Sequence, residues 1–321
     1  MAAALALAER GRGRTAPNPN VGCVIVSDGR VLGRGWTQPG GRPHAEAMAL
    51  AAAGDDARGA TCYVTLEPCA HASPRGPACA DSLIAAGVAR VVVAIRDPDP
   101  RTDGLGIARL RDAGIAVSNG LRAVEARRSI AGFLLRQALS RPFVTLKLAL
   151  SLDGATALAD GSSRWITGPE ARAHAHLERS RHEAILVGRG TWQADSPVLD
   201  VRLAGLEQRS PRRILLSAAP EDGWEHIAAP EQVAVLSGVD HLLVEGGVQT
   251  AAAFLSADLV DRLLLYRAPI IVGGGRTLPD IGLGDLADAH GRWWLADSRM
   301  LGSDRLEVYE RQVDKRVAEP V

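Results

Sequence analysis

Four side chains in the first quarter of the chain have the types and spacing for hydrolytic chemistry: His44, Glu46, Cys69 and Cys79. One imidazole and two thiolates make a zinc site with three protein ligands. The fourth tetrahedral position then stays open for a water whose pKa the metal lowers. Glu46 stands two residues from its histidine, close enough to move a proton between water and a bound ring without ligating the metal. A His-x-Glu alone is usually a surface coincidence. The weight lies in His44-Ala45-Glu46 followed by Glu67-Pro68-Cys69 and then by Cys79, because short motifs gain meaning only in combination. Cys23 and Cys62 fall within apolar strand patterns and read as buried, inert thiols.

In that order the elements form the pattern of zinc deaminases acting on nucleobase-like rings. The surrounding chain must bring them together. Val21–Ser27 and Val31–Trp36 flank Asp28-Gly29, a strong hairpin signal. The spacing then predicts a helix over Ala45–Ala53, a strand over Ala60–Leu66, a helix over Cys79–Ala86 and a strand over Arg90–Ile95. A helix at Gly106–Ala113 and a strand at Ile115–Val117 follow. Strands separated by helices make a layered α/β domain. One long helix, Arg122–Leu139, is expected to end near Arg141-Pro142, since proline stops helices. The boundary belongs there, giving domains 1–141 and 142–321.

The second half again reads as α/β. A strand over Phe143–Leu150 leads into a polar loop, Ser151-Leu152-Asp153-Gly154, and a helix begins at Pro169 and runs to Arg181. Strands are expected at Ala184–Val187, Arg213–Leu216, Val233–Leu236, Leu242–Glu245, Leu263–Ile271 and Arg305–Tyr309. No Gly-x-Gly-x-x-Gly follows a strand, so a Rossmann fingerprint is absent. Val244-Glu245-Gly246-Gly247 ends a strand before a helix near Gln249, a junction that offers free N–H groups to a phosphate. Gly273-Gly274-Gly275 reads as a flexible loop.

Composition narrows the function classes. The 321 residues carry 37 basic and 37 acidic side chains and 4% aromatics. That argues against a nucleic-acid base deaminase, which needs a basic channel and stacking rings, and no nucleic-acid partner is expected. A non-catalytic zinc scaffold is the other rival, and it would have no use for the non-ligand carboxylate of Glu46. Lys147 and Lys315 are the only lysines, which marks Lys147 for attention. Four cysteines clustered beside histidines suit a metal site in a reducing compartment, hence a cytoplasmic location. The apolar Met1–Ala8 lacks a basic flank and is interrupted by Glu9 and Arg10. It reads as a short helix packed on the first domain, not a signal peptide. No stretch approaches the roughly 18–20 apolar residues of a membrane span.

Longer stretches resemble one family, the bifunctional riboflavin-biosynthesis deaminase–reductases. The likeness is carried by Pro17-Asn18-Pro19-Asn20-Val21-Gly22-Cys23-Val24-Ile25-Val26, His44-Ala45-Glu46, Tyr63-Val64-Thr65-Leu66-Glu67-Pro68-Cys69-Ala70-His71 and Arg96-Asp97-Pro98-Asp99-Pro100. In the second half it continues through Leu146–Gly154, Arg164–Thr167, Leu186–Thr191, Ala194–Leu199 with Arg202, and Val244–Gly247. The Cys69–Cys79 loop is one residue longer than usual in the family, and Asp99 stands where asparagine is usual. The resemblance implies a cytidine-deaminase-like zinc domain followed by a dihydrofolate-reductase-like domain that uses NADPH. It implies His44, Cys69 and Cys79 as zinc ligands and Glu46 as proton shuttle, with Asn18, His71 and Arg75 meeting a phosphoribosyl-pyrimidine substrate. In the reductase half it implies NADPH contacts from Leu150, Trp165, Thr191, Asp195 and the run Gly247, Val248, Gln249, Thr250, Ala251, Ala252 and Ala253. Ser163, Arg179, Leu199, Arg202 and Glu245 would meet the sugar phosphate, with Lys147 and Glu245 beside the reacting sugar. The implied reactions are hydrolytic deamination of a diaminopyrimidinone and reduction of its ribosyl group to ribityl. Whether the chain forms a homo-oligomer is left open.

Overall fold

Asp28 and Gly29 take φ of 50° and 74° and close the expected hairpin, because a two-residue turn with both centres at positive φ matches the twist of its strands. The computed structural model describes residues 1–71 and 73–311, and these divide into two compact units, one up to residue 139 and one from residue 140 onward.

The first unit begins with α1 (Ala2–Ala8), which buries Ala4, Leu5 and Ala8. The hairpin strands β1 (Gly22–Ser27) and β2 (Arg30–Trp36) follow, then α2 (Ala45–Ala53), β3 (Thr61–Val64), α3 (Cys79–Ala86) and β4 (Arg90–Val93). The unit closes with α4 (Leu105–Asp112), β5 (Ala116–Asn119), α5 (Ala123–Ser129) and α6 (Ala131–Leu139). The five strands form one sheet in the order β2-β1-β3-β4-β5, antiparallel in the hairpin and across β1/β3, parallel from β3 to β5. Apolar faces of the helices bury Ile25, Leu83, Val91 and Leu110 against it.

The helix that carries the chemistry lies on bare backbone. A Cβ at Gly33 would stand 2.0 Å from the Ala49 carbonyl, and one at Gly35 would stand 2.1 Å from that of Ala45. Two glycines at alternate positions of β2, opposite an alanine-rich helix, let α2 settle with almost nothing between. His44 and Glu46, at its first turn, are placed by that contact.

The second unit holds β6 (Phe143–Leu150), α7 (Pro169–Arg179), β7 (Ala184–Gly188), α8 (Arg189–Asp195), β8 (Arg212–Leu216), β9 (Glu225–Ile227) and β10 (His241–Glu245). It ends with α9 (Val248–Ser256), β11 (Arg262–Arg267), β12 (Trp293–Leu301) and β13 (Asp304–Arg311). Its eight strands run β12-β13-β11-β6-β10-β7-β8-β9. The stretch from β11 to β9 is parallel, and β13 and β12 add an antiparallel edge. The parallel register sets Glu245 of β10 beside Lys147 of β6.

Four local expectations differ from the structure. The helix expected over Arg122–Leu139 is two helices with a break at Ile130, whose φ of −111° is not helical. The break buries Ile130 in the core and leaves the Ser129 hydroxyl to donate to Glu9 and accept from Asn20. Val233–Leu236 is not a strand: Pro230–Val235 winds as a 3-10 helix with proline in its first turn, since a short apolar run has no period to separate the two. The edge strands β9 and β12 lie outside the expected set, β9 being only three residues long and β12 mostly exposed with Asp297-Ser298-Arg299 interrupting its apolar run. Gly273-Gly274-Gly275 is tied down: Asp153 accepts from the N–H groups of Val272 and Gly273 at 3.1 and 2.8 Å, and a Cβ at Gly275 would meet the Ala157 carbonyl at 2.4 Å.

The close seat of α2 makes Gly35 sensitive. Gly35→Ala is expected to cost the first unit about 1–3 kcal/mol through overpacking, measured as a lower urea midpoint by circular dichroism. An unchanged midpoint would mean that α2 has room to shift.

Candidate functional site

Two helix starts and one strand exit converge in the first unit. His44 is the residue before α2, Cys79 is the first residue of α3, and Cys69 lies beyond β3. Their ligating atoms all lie within 4.8 Å of one another. His44 Nδ1 is 3.2 Å from Cys79 Sγ and 3.7 Å from Cys69 Sγ. Around a tetrahedral zinc with ordinary bond lengths, nitrogen and sulfur stand about 3.5 Å apart, so the three residues present fit that ion. The backbone N–H of Cys79, at the positive end of α3, donates to Cys69 Sγ at 3.3 Å and favours its thiolate. A hydrogen bond from the Cys79 thiol contributes most to holding the Cys69 thiol down at about 4, and the same bond pushes Cys79 up. Cys23 and Cys62 are buried with their sulfurs 3.4 Å apart and do not belong to the ligand set.

Glu46 does not join the ligands but lines the same cavity of about 490 Å³ with His44 and Cys69. Burial pushes its carboxyl above the usual range, which suits a group that must both take and give a proton. Asn18, His71 and Arg75 line the cavity too. Asn18 contacts His44, His71 Nδ1 lies 3.4 Å from Thr102 Oγ1, and the exposed Arg75 donates to the Gly40 carbonyl. Asp99 receives the Arg101 guanidinium in a forked pair. Burial raises the neighbouring Asp97 to about 7.

Sequence reasoning passed over Glu67. Its buried carboxylate accepts from the N–H groups of Asp97 at 3.2 Å, Gly104 at 3.0 Å and Ile107 at 2.9 Å. It thereby caps α4 from outside the helix and holds the loop that presents Asp97 and Asp99 to the cavity. Gly106 is bare because a Cβ there would stand 2.0 Å from the Pro68 carbonyl. A glutamate directly before Pro-Cys was the available signal, but its three donors lie 30 to 40 residues away.

In the second unit Arg179 donates through Nε and Nη2 to both oxygens of Glu245, at 2.8 and 2.9 Å, and through Nη1 to the Asp200 carbonyl at 3.0 Å. Lys147 Nζ stands 3.9 Å from Glu245 Oε2. Burial opposes ionisation of Glu245, but the bonds from Arg179 and the charge of Lys147 prevail and bring it to about 2. Leu199 is buried with φ of 58° and turns the chain so that the Asp200 carbonyl meets Arg179. Arg202 is exposed, beside Asp200 at 3.2 Å. Thr191 accepts from the Gly247 N–H at 3.1 Å, joining two expected cofactor positions at the start of α9. Thr250 fills the space that a Cβ at Gly188 or Gly246 would occupy, while Ala251 and Ala252 face the core. Val248 and Ala253 are half-buried, Gln249 is exposed, and Leu150 is buried at the end of β6. Trp165 is 64% exposed under the Arg172 guanidinium, Ser163 is exposed, and Asp195 pairs with Arg164 at 3.1 Å. No described contact joins Ser163, Trp165 or Asp195 to the Glu245 cluster.

A buried non-ligand glutamate beside a His-Cys-Cys set, on a sheet flanked by helices, defines a zinc-dependent deaminase, here continuous with a second α/β unit. Residues 1–95 match the family model described as the cytidine and deoxycytidylate deaminase zinc-binding region. Residues 142–233 and 228–304 match the RibD C-terminal domain. The chain belongs to the family of the riboflavin biosynthesis protein RibD. It is 43% identical to that protein from Escherichia coli, covering 90% of this chain and 92% of the relative. It is 40% identical to the one from Aquifex aeolicus, covering 90% and 91%. Among solved structures, Acinetobacter baumannii RibD matches with a TM-score of 0.86 at 35% identity over 97% of both chains. A diaminohydroxyphosphoribosylaminopyrimidine deaminase/5-amino-6-(5-phosphoribosylamino)uracil reductase from Thermotoga maritima matches with a TM-score of 0.86 at 32% identity over 96% of both. The chain is therefore a bifunctional deaminase and reductase of riboflavin biosynthesis, whose cofactors are zinc and NADPH. Its described residues hold no helix long and apolar enough to cross a membrane.

The ligand set predicts that Cys79→Ser strips zinc, measured by metal analysis; stoichiometric zinc in that variant would contradict the assignment. The Glu245 pair predicts a pH effect. A carboxyl depressed from 4.5 to about 2 on folding stabilises the protein above about 4.5 and loses that contribution as pH falls toward 2. The stability gap between wild type and Glu245→Gln should therefore narrow between pH 5 and pH 3. A gap independent of pH would contradict the pairing. Five of the six tryptophans lie in the second unit, so fluorescence-detected urea unfolding follows it.

Proposed function

We propose that residues 1–141 deaminate 2,5-diamino-6-(5-phosphoribosylamino)pyrimidin-4(3H)-one and that residues 142–321 reduce the ribosyl group of the product to ribityl. The observation that carries this is the presence, in one chain, of Glu46 beside a His-Cys-Cys set and of Lys147 beside Glu245. The Thermotoga maritima relative is named for both activities.

His44, Cys69 and Cys79 would hold zinc, which when bound would supply Lewis-acid activation of water near neutral pH. Glu46 takes one proton from the attacking water and passes it to the ring nitrogen, then moves the remaining hydroxyl proton to the leaving amino nitrogen as the carbonyl forms. The new C–O bond replaces the C–N bond, and ammonia departs. Asn18 and His71 line the pocket for the pyrimidine, and Arg75 at the cavity edge is placed for the phosphate.

In the second unit NADPH, when bound, would supply a hydride for C1 of the sugar; as the bond from C1 to the ring oxygen opens, that oxygen takes a proton. Lys147 is the donor placed for that proton. Glu245 orients it and is itself held by Arg179. With Arg179 engaged on Glu245 and Asp200, the exposed Arg202 is the freer guanidinium for the sugar phosphate, which Ser163 and Leu199 would also meet. Trp165, Thr191, Asp195 and the stretch from Gly247 to Gln249 would form the NADPH surface, backed from the core by Leu150, Thr250, Ala251 and Ala252 with Ala253 half-buried beside them, and the start of α9 would face a phosphate. Thiol ligands need a reducing compartment, which supports a cytoplasmic location. A small molecule, not a nucleic acid, is the substrate.

The test is a double dissociation. Glu46→Gln should lower ammonia release by about 10²–10⁴-fold yet still oxidise NADPH when given deaminated substrate. Lys147→Ala should release ammonia normally and fail to oxidise NADPH. Either variant losing neither activity would overturn the residue roles.

A further inference from the structure

The His44 ring has two nitrogens, and only Nδ1 faces the thiols. Nε2 lies 3.0 Å from Asn18 Nδ2. The same amide nitrogen donates to the Gly41 carbonyl at 3.1 Å, so the side chain that touches the imidazole is itself moored to backbone. Gly41 has φ of 84°, and a Cβ there would stand 2.7 Å from Asn18 Cγ and 2.8 Å from its Cβ. Glycine is required on both counts. Asn18 is fixed from its own side as well, its N–H donating to the Thr15 carbonyl at 2.9 Å. His44 receives no such help from its helix, because as the residue before α2 it makes no side-chain capping bond.

The geometry points to Asn18 as a positioning residue for the metal ligand: it holds the imidazole of His44 with Nδ1 aimed at Cys69 and Cys79. This goes beyond the pocket-lining role that the family resemblance implies for Asn18, and it rests on His44, Cys69 and Cys79 being the zinc site. The contact works in either sense. The amide N–H can donate to a bare Nε2. With zinc on Nδ1 a neutral imidazole carries its proton on Nε2, and the amide, turned over, accepts that proton on Oδ1 in exchange for its bond to the Gly41 carbonyl. Metal-bound histidines commonly donate their second N–H to a partner that fixes the ring, and removing such a partner costs about 10–100-fold in metal affinity or activity. A purely substrate-binding asparagine would leave zinc affinity untouched.

The decisive readout is the zinc dissociation constant of the full chain, by competition with a chromophoric chelator, with circular dichroism as the check on folding. Asn18→Ala is expected to loosen zinc about 10–100-fold. Asn18→Leu, which keeps the shape and removes both polar atoms, should do the same and serves if the alanine variant does not fold. Asn18→Asp keeps an acceptor for Nε2–H and should hold zinc close to wild-type affinity. His44→Ala separates the two claims. If it binds zinc as tightly as wild type, the zinc-site reading fails. If it loses zinc while folded Asn18→Ala and Asn18→Leu bind normally, the zinc site stands and the positioning role is overturned. Asn18→Asp binding as weakly as Asn18→Leu would likewise overturn the hydrogen-bond account.

Discussion

The deaminase site depends on one packing contact, the seat of α2 on the bare backbone of β2. Gly33 and Gly35 present no side chains, so the helix approaches until any Cβ would collide with its carbonyls. The position of the helix start is thereby fixed by hard-core repulsion on one side and core burial on the other. His44 and Glu46 inherit that position. Cys79 is placed in the same way by the start of α3, whose N-terminus also favours the Cys69 thiolate. A metal site needs ligands placed within a few tenths of an ångström, and helix starts anchored on a sheet provide that where a loop would not. The ligand that no helix start carries, Cys69, follows Glu67, a buried carboxylate with three backbone donors.

The second unit meets the same demand with charge. Parallel register puts Lys147 next to Glu245, and a buried carboxylate in that setting would take up a proton if it stood alone. Arg179 prevents this with two hydrogen bonds, so Glu245 stays ionised beside Lys147. Arg179 thus joins α7 to β10 while its third contact, to the Asp200 carbonyl, anchors the segment after α8. One guanidinium organises the three segments around the proposed sugar site.

The parts of this arrangement that are local in sequence could be read from sequence. The Asp28-Gly29 hairpin, the helix starts at Ala45 and Cys79 and the parallel run of apolar strands all follow from turn chemistry and periodicity. The ligand triad was legible because its residue types are rare in combination, and the longer motifs around it carried the family resemblance. What could not be read depends on contacts between residues far apart. The three donors of Glu67, the mooring of Asn18 on Gly41 and the engagement of Arg179 by Glu245 each join segments 23 to 66 residues apart. The break at Ile130 was hidden for a related reason, because apolar periodicity persists through a kink that keeps both halves against one core. Val233–Leu236 misled because four apolar residues are too few to show whether their period is 2 or 3.6.

The central claim is that one chain carries two separable chemistries in a set order, deamination at the His44-Cys69-Cys79 site and reduction at the Lys147–Glu245 pair. It is tested most directly by giving the wild-type chain the diaminopyrimidinone substrate and recording ammonia and NADPH absorbance together. The account predicts ammonia release at the same rate with or without NADPH, and NADPH oxidation that begins with a lag set by the ammonia curve. NADPH consumption without prior ammonia, or ammonia release that requires NADPH, would contradict it.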